Sequence, residues 1–467
     1  MGEISKFNIN FDEIRTNFKF VDEPVQGKVG LTHKTGEKYK LLPYVANEKT
    51  LVSEFSGVVG AFSRIICDKD LSEKFNVEAF IEEVVEQVAD FKGNMSKEYF
   101  KDIVKTMFID NGELVDFDIK TINYIPSTNA DIRIATFLYS VLMDTNLKKD
   151  IKAHYDREVD NIMYKLVLKS LPKLKDKETS IGEYNCYLPY VREKFIEDFK
   201  FIITNEELYK DSLKRLLEYY YMYYISQLVM KLNDFESADL SKPDALYYTL
   251  DWERTSKTRT AYQFGLEKIK KDIKSLFSHA VVLELLNHNY IDEALDYKKL
   301  SEIFSNMDEN DINQQLSNLV ELYKNQIKDV PWDGFTFTNR NSDVNGFEMV
   351  YELFRVVGYQ FEESTRSRAN ESYSNWYLKF LQQNFAKRRG QLGYNLNMTE
   401  DDIILMTKIC IKDKGKMKLN NLMKEFEQRG LFFDMESHKK IVQLYEKLNL
   451  LEKKSDSGDA QYVKSVL

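Results

Sequence analysis

The residues best spaced for chemistry lie in Asp116-Phe117-Asp118-Ile119-Lys120. Metal-dependent cleavage of a phosphodiester needs oxygen ligands for a hard cation and often a lysine beside them. On an extended strand Asp116, Asp118 and Lys120 would project from one face, a D-x-K arrangement able to hold such a cation. The same spacing also describes a solvated edge strand or loop, so the nuclease reading stands beside a structural one. Other catalytic patterns are missing from the sequence. In Gly30-Leu31-Thr32-His33-Lys34-Thr35-Gly36-Glu37-Lys38 a carboxylate occupies the lysine position of a phosphate-binding loop and would repel phosphates. The 5 histidines form no H-E-x-x-H pair, and His279 and His288 share no helical face. There is no G-x-S-x-G elbow, and Cys67, Cys186 and Cys410 lie too far apart in sequence to suggest a zinc site or a disulfide framework. The sequence therefore points away from catalysis and gives no reason to expect a cofactor or a resident metal.

A different constellation suits nucleic acid. Lys440, Gln443 and Lys447 recur at i, i+3 and i+7, with Lys439 flanking them. Lysines meet phosphates, and a glutamine can read an adenine edge. His438 is placed by its spacing to Ile441 and Tyr445 toward the buried flank of the same helix. Lys453, Lys454 and Lys464 follow on two short strand-like runs. Upstream, Lys387, Arg388 and Arg389 close a helical stretch in which Arg366, Arg368 and Trp376 interleave basic and aromatic character, suited to a phosphate backbone or to an acidic partner. The run Tyr219-Tyr220-Tyr221-Met222-Tyr223-Tyr224 invites base stacking, but six successive helical residues point all round their axis. A helix buried on every side explains them more economically.

The elements that must carry these residues read as helices almost throughout. Val77, Ile81, Val84, Val85 and Val88 share one face, and so do Leu266, Ile269, Ile273, Leu276, Phe277 and Ala280. Helical spacing extends over 96–108, 131–143, 157–170, 190–202, 206–232, 284–305, 312–327, 347–358 and 371–389. Strand signals are confined to the two ends. Phe18–Asp22 alternates, and after Gly27, Gly30 and Gly36 comes Lys38–Pro43, which predicts a small hairpin. Near the other end, Thr399 precedes Asp402 in a capping-box pattern that starts a helix running to about Ile411, followed by a turn at Asp413–Lys416. A second helix carries Leu419, Leu422, Met423 and Phe426 and meets a C-cap signal at Gly430. A third begins near Asp434, and strands at 450–454 and 460–464 flank a turn. Three helices and a hairpin are the elements of a winged helix-turn-helix.

The predicted fold is mainly α: a multi-helix body with a small N-terminal β-hairpin and a C-terminal winged helix-turn-helix. The expected divisions are an N-terminal segment 1–60, a helical body 61–330, a loop and helical connector 331–397 carrying the basic patch, and the winged-helix region 398–467. The breaks fall in the aperiodic tract Pro331–Gly346 and at Gly390–Asn395. The chain is 467 residues long with 66 Lys+Arg against 75 Asp+Glu, a formal charge of −9. That excludes a protein coating nucleic acid with its whole surface. Residues 398–467 carry 13 Lys+Arg and 12 Asp+Glu, so the negative charge resides in the rest. Neither a signal-peptide core at Met1–Lys6 nor an apolar run of membrane-spanning length is present, which predicts a cytoplasmic protein away from membranes.

The tracts Glu425-Phe426-Glu427-Gln428-Arg429-Gly430 and Leu448–Val463, with His33-Lys34-Thr35-Gly36 and Leu41-Leu42-Pro43-Tyr44 near the start, resemble the DptG family. That family belongs to bacterial DNA phosphorothioation-dependent restriction systems. The resemblance covers about a fifth of the chain and includes no catalytic signature. It implies a subunit of a complex that attacks foreign or phage DNA lacking phosphorothioate marks, with DptF- and DptH-like partners supplying the nucleotide-driven chemistry. Three readings follow: a non-enzymatic subunit whose winged helix contacts double-stranded DNA, a metal-dependent nuclease subunit, and a scaffold whose winged helix binds only protein.

Overall fold

A computed structural model describes residues 7–24, 32–45, 51–52, 54–88, 90–93, 95–180, 182–453 and 461–466. The chain is mainly helical, with four small sheets among the described residues. At its centre runs the helix Glu206–Asn233, about 42 Å long at 1.5 Å per residue. From Leu216 to Leu232 every residue of it is buried, the six residues Tyr219–Tyr224 included. Helix Pro189–Ile203 folds back along it through the two-residue connection Thr204-Asn205, with the Asn205 side chain accepting from the Leu208 N–H. Helix Leu276–Asn287 is likewise buried on all sides. One apolar core is continuous from Phe7 to Val463, so the C-terminal helices share it with the body. A second, smaller core gathers Phe80, Ile81, Val84, Val104, Phe108 and Val167, from helices Val77–Glu86, Ser96–Phe108 and Ile162–Lys169, with Leu171 just beyond the last.

The structure corrects several expected elements. Among the described residues no N-terminal hairpin forms: Phe18–Asp22 and Lys38–Pro43 are not strands. Instead the buried Glu284 carboxylate accepts the backbone N–H groups of Gly36, Glu37, Lys38 and Tyr39 at 2.9, 3.3, 3.0 and 3.1 Å. A side chain from the central layer thus satisfies donors that a partner strand would have used. The helical pattern at 284–305 is broken, because the Asn287 side chain bonds the backbone of Leu295 and Asp296 caps a new helix, Tyr297–Phe304. The 157–170 stretch becomes helical only at Ile162, behind an Asn161 cap. The 371–389 stretch ends at Asn384, and Ala386–Arg388 is a strand.

That strand belongs to an internal sheet that periodicity did not reveal. Ala386–Arg388 pairs antiparallel with Tyr394–Met398, which pairs in parallel with Thr249–Leu250. Gly390–Leu392 is a single 3-10 turn between the first two, and it lies where the sequence suggested a boundary. The sheet joins two segments about 150 residues apart, a pairing invisible to any local window.

The C-terminal helices are fixed to the body by ion pairs at their ends. Arg429 and Asp198 are both fully buried, joined by Nε–Oδ2 at 2.8 Å and Nη2–Oδ1 at 2.6 Å. The Tyr220 hydroxyl donates to Asp198 at 2.6 Å, the Tyr219 hydroxyl donates to the Arg429 carbonyl, and the Tyr223 hydroxyl donates to the Gln428 carbonyl at 3.0 Å. Burial disfavours the guanidinium charge, but the Asp198 carboxylate overrides it and raises the proton affinity of Arg429. Gly430 follows at φ +79°, where an added Cβ would lie 2.2 Å from the Tyr223 ring. Removing one partner of a buried pair leaves the other charge uncompensated. Arg429→Met should lower stability by about 3–5 kcal/mol in urea denaturation. Arg429→Met combined with Asp198→Asn should cost less than the two single changes summed.

Candidate nucleic-acid interface

The C-terminal region is assembled from local signals. Thr399 and Asp402 form the capping box of helix Glu400–Ile411, the Asp402 N–H bonding Thr399 Oγ1 at 3.1 Å and the Thr399 N–H bonding Asp402 Oδ2 at 2.9 Å. Strand Lys416–Lys418 follows where a turn was expected to reach Lys416, then helix Leu419–Gln428. Asp434 caps helix Met435–Lys447 by accepting the Ser437 N–H at 3.1 Å. Strands Leu451–Lys453 and Gln461–Lys464 complete a three-stranded antiparallel sheet, with the last strand in the middle: Val463 lies opposite Met417 on one side and Leu451 on the other. Leu422, Phe426, Ile441, Leu444, Tyr445 and Val463 fill the space between, and Thr407 Oγ1 meets the Tyr445 hydroxyl at 2.6 Å.

This packing leaves a polar face on Met435–Lys447. Lys439, Gln443 and Lys447 are exposed and Lys440 is half-buried. Lys440 Nζ donates to Gln443 Oε1 at 3.0 Å, so these two act as one unit. Lys439 pairs with Glu436 at 2.9 Å, Lys447 with Glu400 at 3.6 Å and Lys453 with Glu446 at 2.6 Å. Lys464 is exposed at the sheet, while Lys454 lies outside the described residues. A groove of about 480 Å³ runs beside this face, and it adds Lys418, Asn420 and Gln461 to the residues expected there. His438 lines the same groove, half-buried, and burial lowers its pKa. The alternation Lys416-Met417-Lys418, with Met417 buried between two exposed lysines, was the signal that could have found the first strand.

The upstream basic residues serve other ends. Lys387 and Arg389 do not close a helix: Lys387 lies within the strand Ala386–Arg388 and Arg389 directly follows it, and both are engaged with the body. Lys387 Nζ bonds the Asp251 carbonyl at 2.9 Å and its carboxylate. Arg389 donates to the carbonyls of Leu250 and Glu253 at 2.6 and 2.9 Å and to Asn397 Oδ1 at 3.0 Å. Arg388 alone of the three is exposed. Arg366 forms a two-pronged pair with Asp329 at 2.9 and 3.0 Å.

The nuclease constellation is not a strand. Asp118 caps the 3-10 helix Ile119–Tyr124, its Oδ1 accepting the Lys120 N–H at 2.9 Å. Lys120 Nζ turns away to the Arg157 carbonyl at 2.5 Å. Asp116 is drawn toward Thr121 Oγ1 at 3.4 Å, and burial raises its pKa. Asp118 and Lys120 border a cavity of about 300 Å³ shared with His154 and Arg157. Among the described residues no group of three or more His, Cys, Asp or Glu is arranged to hold a metal ion. Asp118 is used to start a helix, and Asp116 accepts from Thr121.

Three of the five histidines serve as internal donors and acceptors. His33 Nε2 meets the Tyr323 hydroxyl at 2.6 Å, and His279 bonds Tyr297 at 2.9 Å and Asn233 at 3.2 Å. His288 Nδ1 donates to the Glu284 carbonyl at 2.7 Å, and its Nε2 accepts from Asn17 at 2.8 Å. The sequence matches no family model and no curated protein.

Burial, with Arg366 and Arg340 respectively, brings the pKa of His33 and of His279 down to about 3. The unfolded chain protonates each near pH 6.5, so below that pH it binds protons the folded chain does not. Stability should therefore fall on acidification from pH 6.5 toward 3, by up to about 1.4 kcal/mol per pH unit for each histidine. Urea denaturation at pH 6 and pH 5 should show a shallower decline in His279→Asn than in the unmodified chain.

Proposed function

We propose that this chain is a non-enzymatic subunit of a bacterial phosphorothioation-dependent DNA restriction complex. It docks DptF- and DptH-like partners and touches duplex DNA through a C-terminal winged helix. The observation that carries the DNA half is the order of elements after Thr399: helix, strand, helix, helix, strand, strand, with the last strand central in the sheet. In a winged helix the third of the three helices enters a major groove. Lys439, Lys440, Gln443 and Lys447 then face the duplex, joined by Lys418 and Lys464 at the sheet. Lys387 and Arg389, tied to Asp251 and to carbonyls of the body, contribute to holding the region and not to contact. The sequence resemblance supports the restriction context.

With the C-terminal region near neutral overall, its contact is dominated by phosphates and is weak alone. The ion pairs of Lys439, Lys447 and Lys453 with neighbouring carboxylates favour a second reading, in which the same face meets an acidic protein surface.

The test uses the full chain, because Arg429, Asp434 and Asp402 bind the C-terminal helices to the body. Fluorescence anisotropy with a labelled duplex should show affinity falling linearly with log salt. Lys440→Glu with Lys447→Glu should weaken binding on every sequence, with the slope of the unmodified chain exceeding that of a Lys440→Gln/Lys447→Gln variant by about two. Absence of binding at low salt, with the fold intact by circular dichroism, rejects the DNA contact. Copurification with the two partner subunits tests the other half.

A further inference from the structure

Helix Ser96–Phe108 is apolar over more of its surface than its own core uses. Phe100, Val104 and Phe108 face the smaller core at intervals of four. Immediately before each stands a second large apolar residue, and these are exposed: Tyr99 at 63%, Ile103 at 49% and Met107 at 53%, with Met95 at 65% extending the row from the N-cap. Residues at i, i+4 and i+8 lie along one side of a helix, so the four form a continuous stripe about three turns long. Singly exposed apolar residues are ordinary; an aligned stripe is a binding signal.

The charges around it say what covers it. Glu98 and Asp102 each precede a stripe residue by one position and make a parallel acidic row about 100° round the helix. Lys97, Lys101 and Lys105 fall on the rear, where Lys101 is held by Glu82 and, at 3.6 Å, by Glu98. Residues 71–120 contain six lysines and twelve carboxylates, so this part of the molecule carries much of the chain's negative charge. A second copy of the same stripe would set carboxylates against carboxylates, and nucleic acid or an anionic lipid surface would be repelled. Basic side chains flanking an apolar row would be attracted.

We propose that the Met95–Tyr99–Ile103–Met107 stripe is a docking site for a basic amphipathic helix of a partner protein. The methionines suit it, since unbranched thioether side chains adapt to an incoming apolar face. The partner presents leucine-like anchors at helical spacing, with lysines or arginines beside them aligned on Glu98 and Asp102. This surface stands whether or not the C-terminal helices touch DNA.

The probe is a labelled synthetic helix of about five turns with leucines on one face and lysines on its flanks. Its twin carries the same leucines with glutamates replacing the lysines. With the full-length chain, anisotropy should show the basic peptide binding at least ~10-fold more tightly than the acidic twin. Ile103→Ser with Met107→Ser should reduce that binding by about tenfold or more, with circular dichroism and the melting temperature unchanged. Both substitutions are at exposed positions, so a loss of binding reports the surface and not unfolding. Equal binding of the two peptides, binding insensitive to the serine variant, or no binding at all overturns the proposal. So does sedimentation showing a dimer of the chain that the serine variant dissociates, because the stripe would then be a self-interface.

Discussion

The buried pairing of Arg429 with Asp198 is the contact on which the arrangement of the C-terminal half depends. A guanidinium removed from water needs its carboxylate in place, and further donors and acceptors around both, or the charge is too costly to bury. Here Tyr220 donates to the carboxylate and Glu425 accepts from the guanidinium, while Tyr219 and Tyr223, from the same central helix, hold the backbone carbonyls of Arg429 and Gln428. The tyrosine-rich run therefore both packs and hydrogen-bonds. Gly430, at positive φ against the Tyr223 ring, leaves room for no other residue at the point where the chain turns.

Two other arginine–aspartate pairs repeat the device. Arg215 grips Asp402 at 2.6 and 2.9 Å, and Arg259 reaches both oxygens of Asp434. In each pair the C-terminal partner also ends or begins a helix: Asp402 sits in a capping box, Asp434 is an N-cap, and Arg429 follows the last turn of its helix. The residues that define the three helices are thus the same ones that orient them on the body. The molecule presents a lysine-bearing face at this end and an acidic, apolar-striped surface on helix Ser96–Phe108.

Residues with strong local preferences behaved as their sequence implied. Helix Ser96–Phe108 begins and ends where its periodicity does, and Thr399 with Asp402 starts a helix as a capping box should. Where the sequence misled, a distant group had taken over a local role. Glu284 replaced a strand partner for Gly36–Tyr39, and Asn287 closed a helix whose apolar pattern continued. The strand Tyr394–Met398 falls where the sequence suggested a break, and its neighbours are Leu250 and Ala386, one about 150 residues upstream and paired in parallel, the other close by and antiparallel. Asp116, Asp118 and Lys120 had the right types for a metal site, yet a short polar side chain before a helix is equally a cap, and only the backbone distinguishes the two.

The sequence by itself determined the helical character, the caps, the buried tyrosine helix and the polar stripe on Met435–Lys447, because each follows from residues within a turn or two of one another. The tertiary structure decided which charges remain available. Lys387 and Arg389 look identical in sequence to a free basic patch, and they are consumed by Asp251, Leu250 and Glu253 more than a hundred residues away. Arg429, a charged residue just before a glycine, is fully buried against Asp198. Helical spacing shows that a side chain faces inward or outward; it carries no information about the partner across the interface, and for charged groups that partner decides whether they hold the fold or meet another molecule.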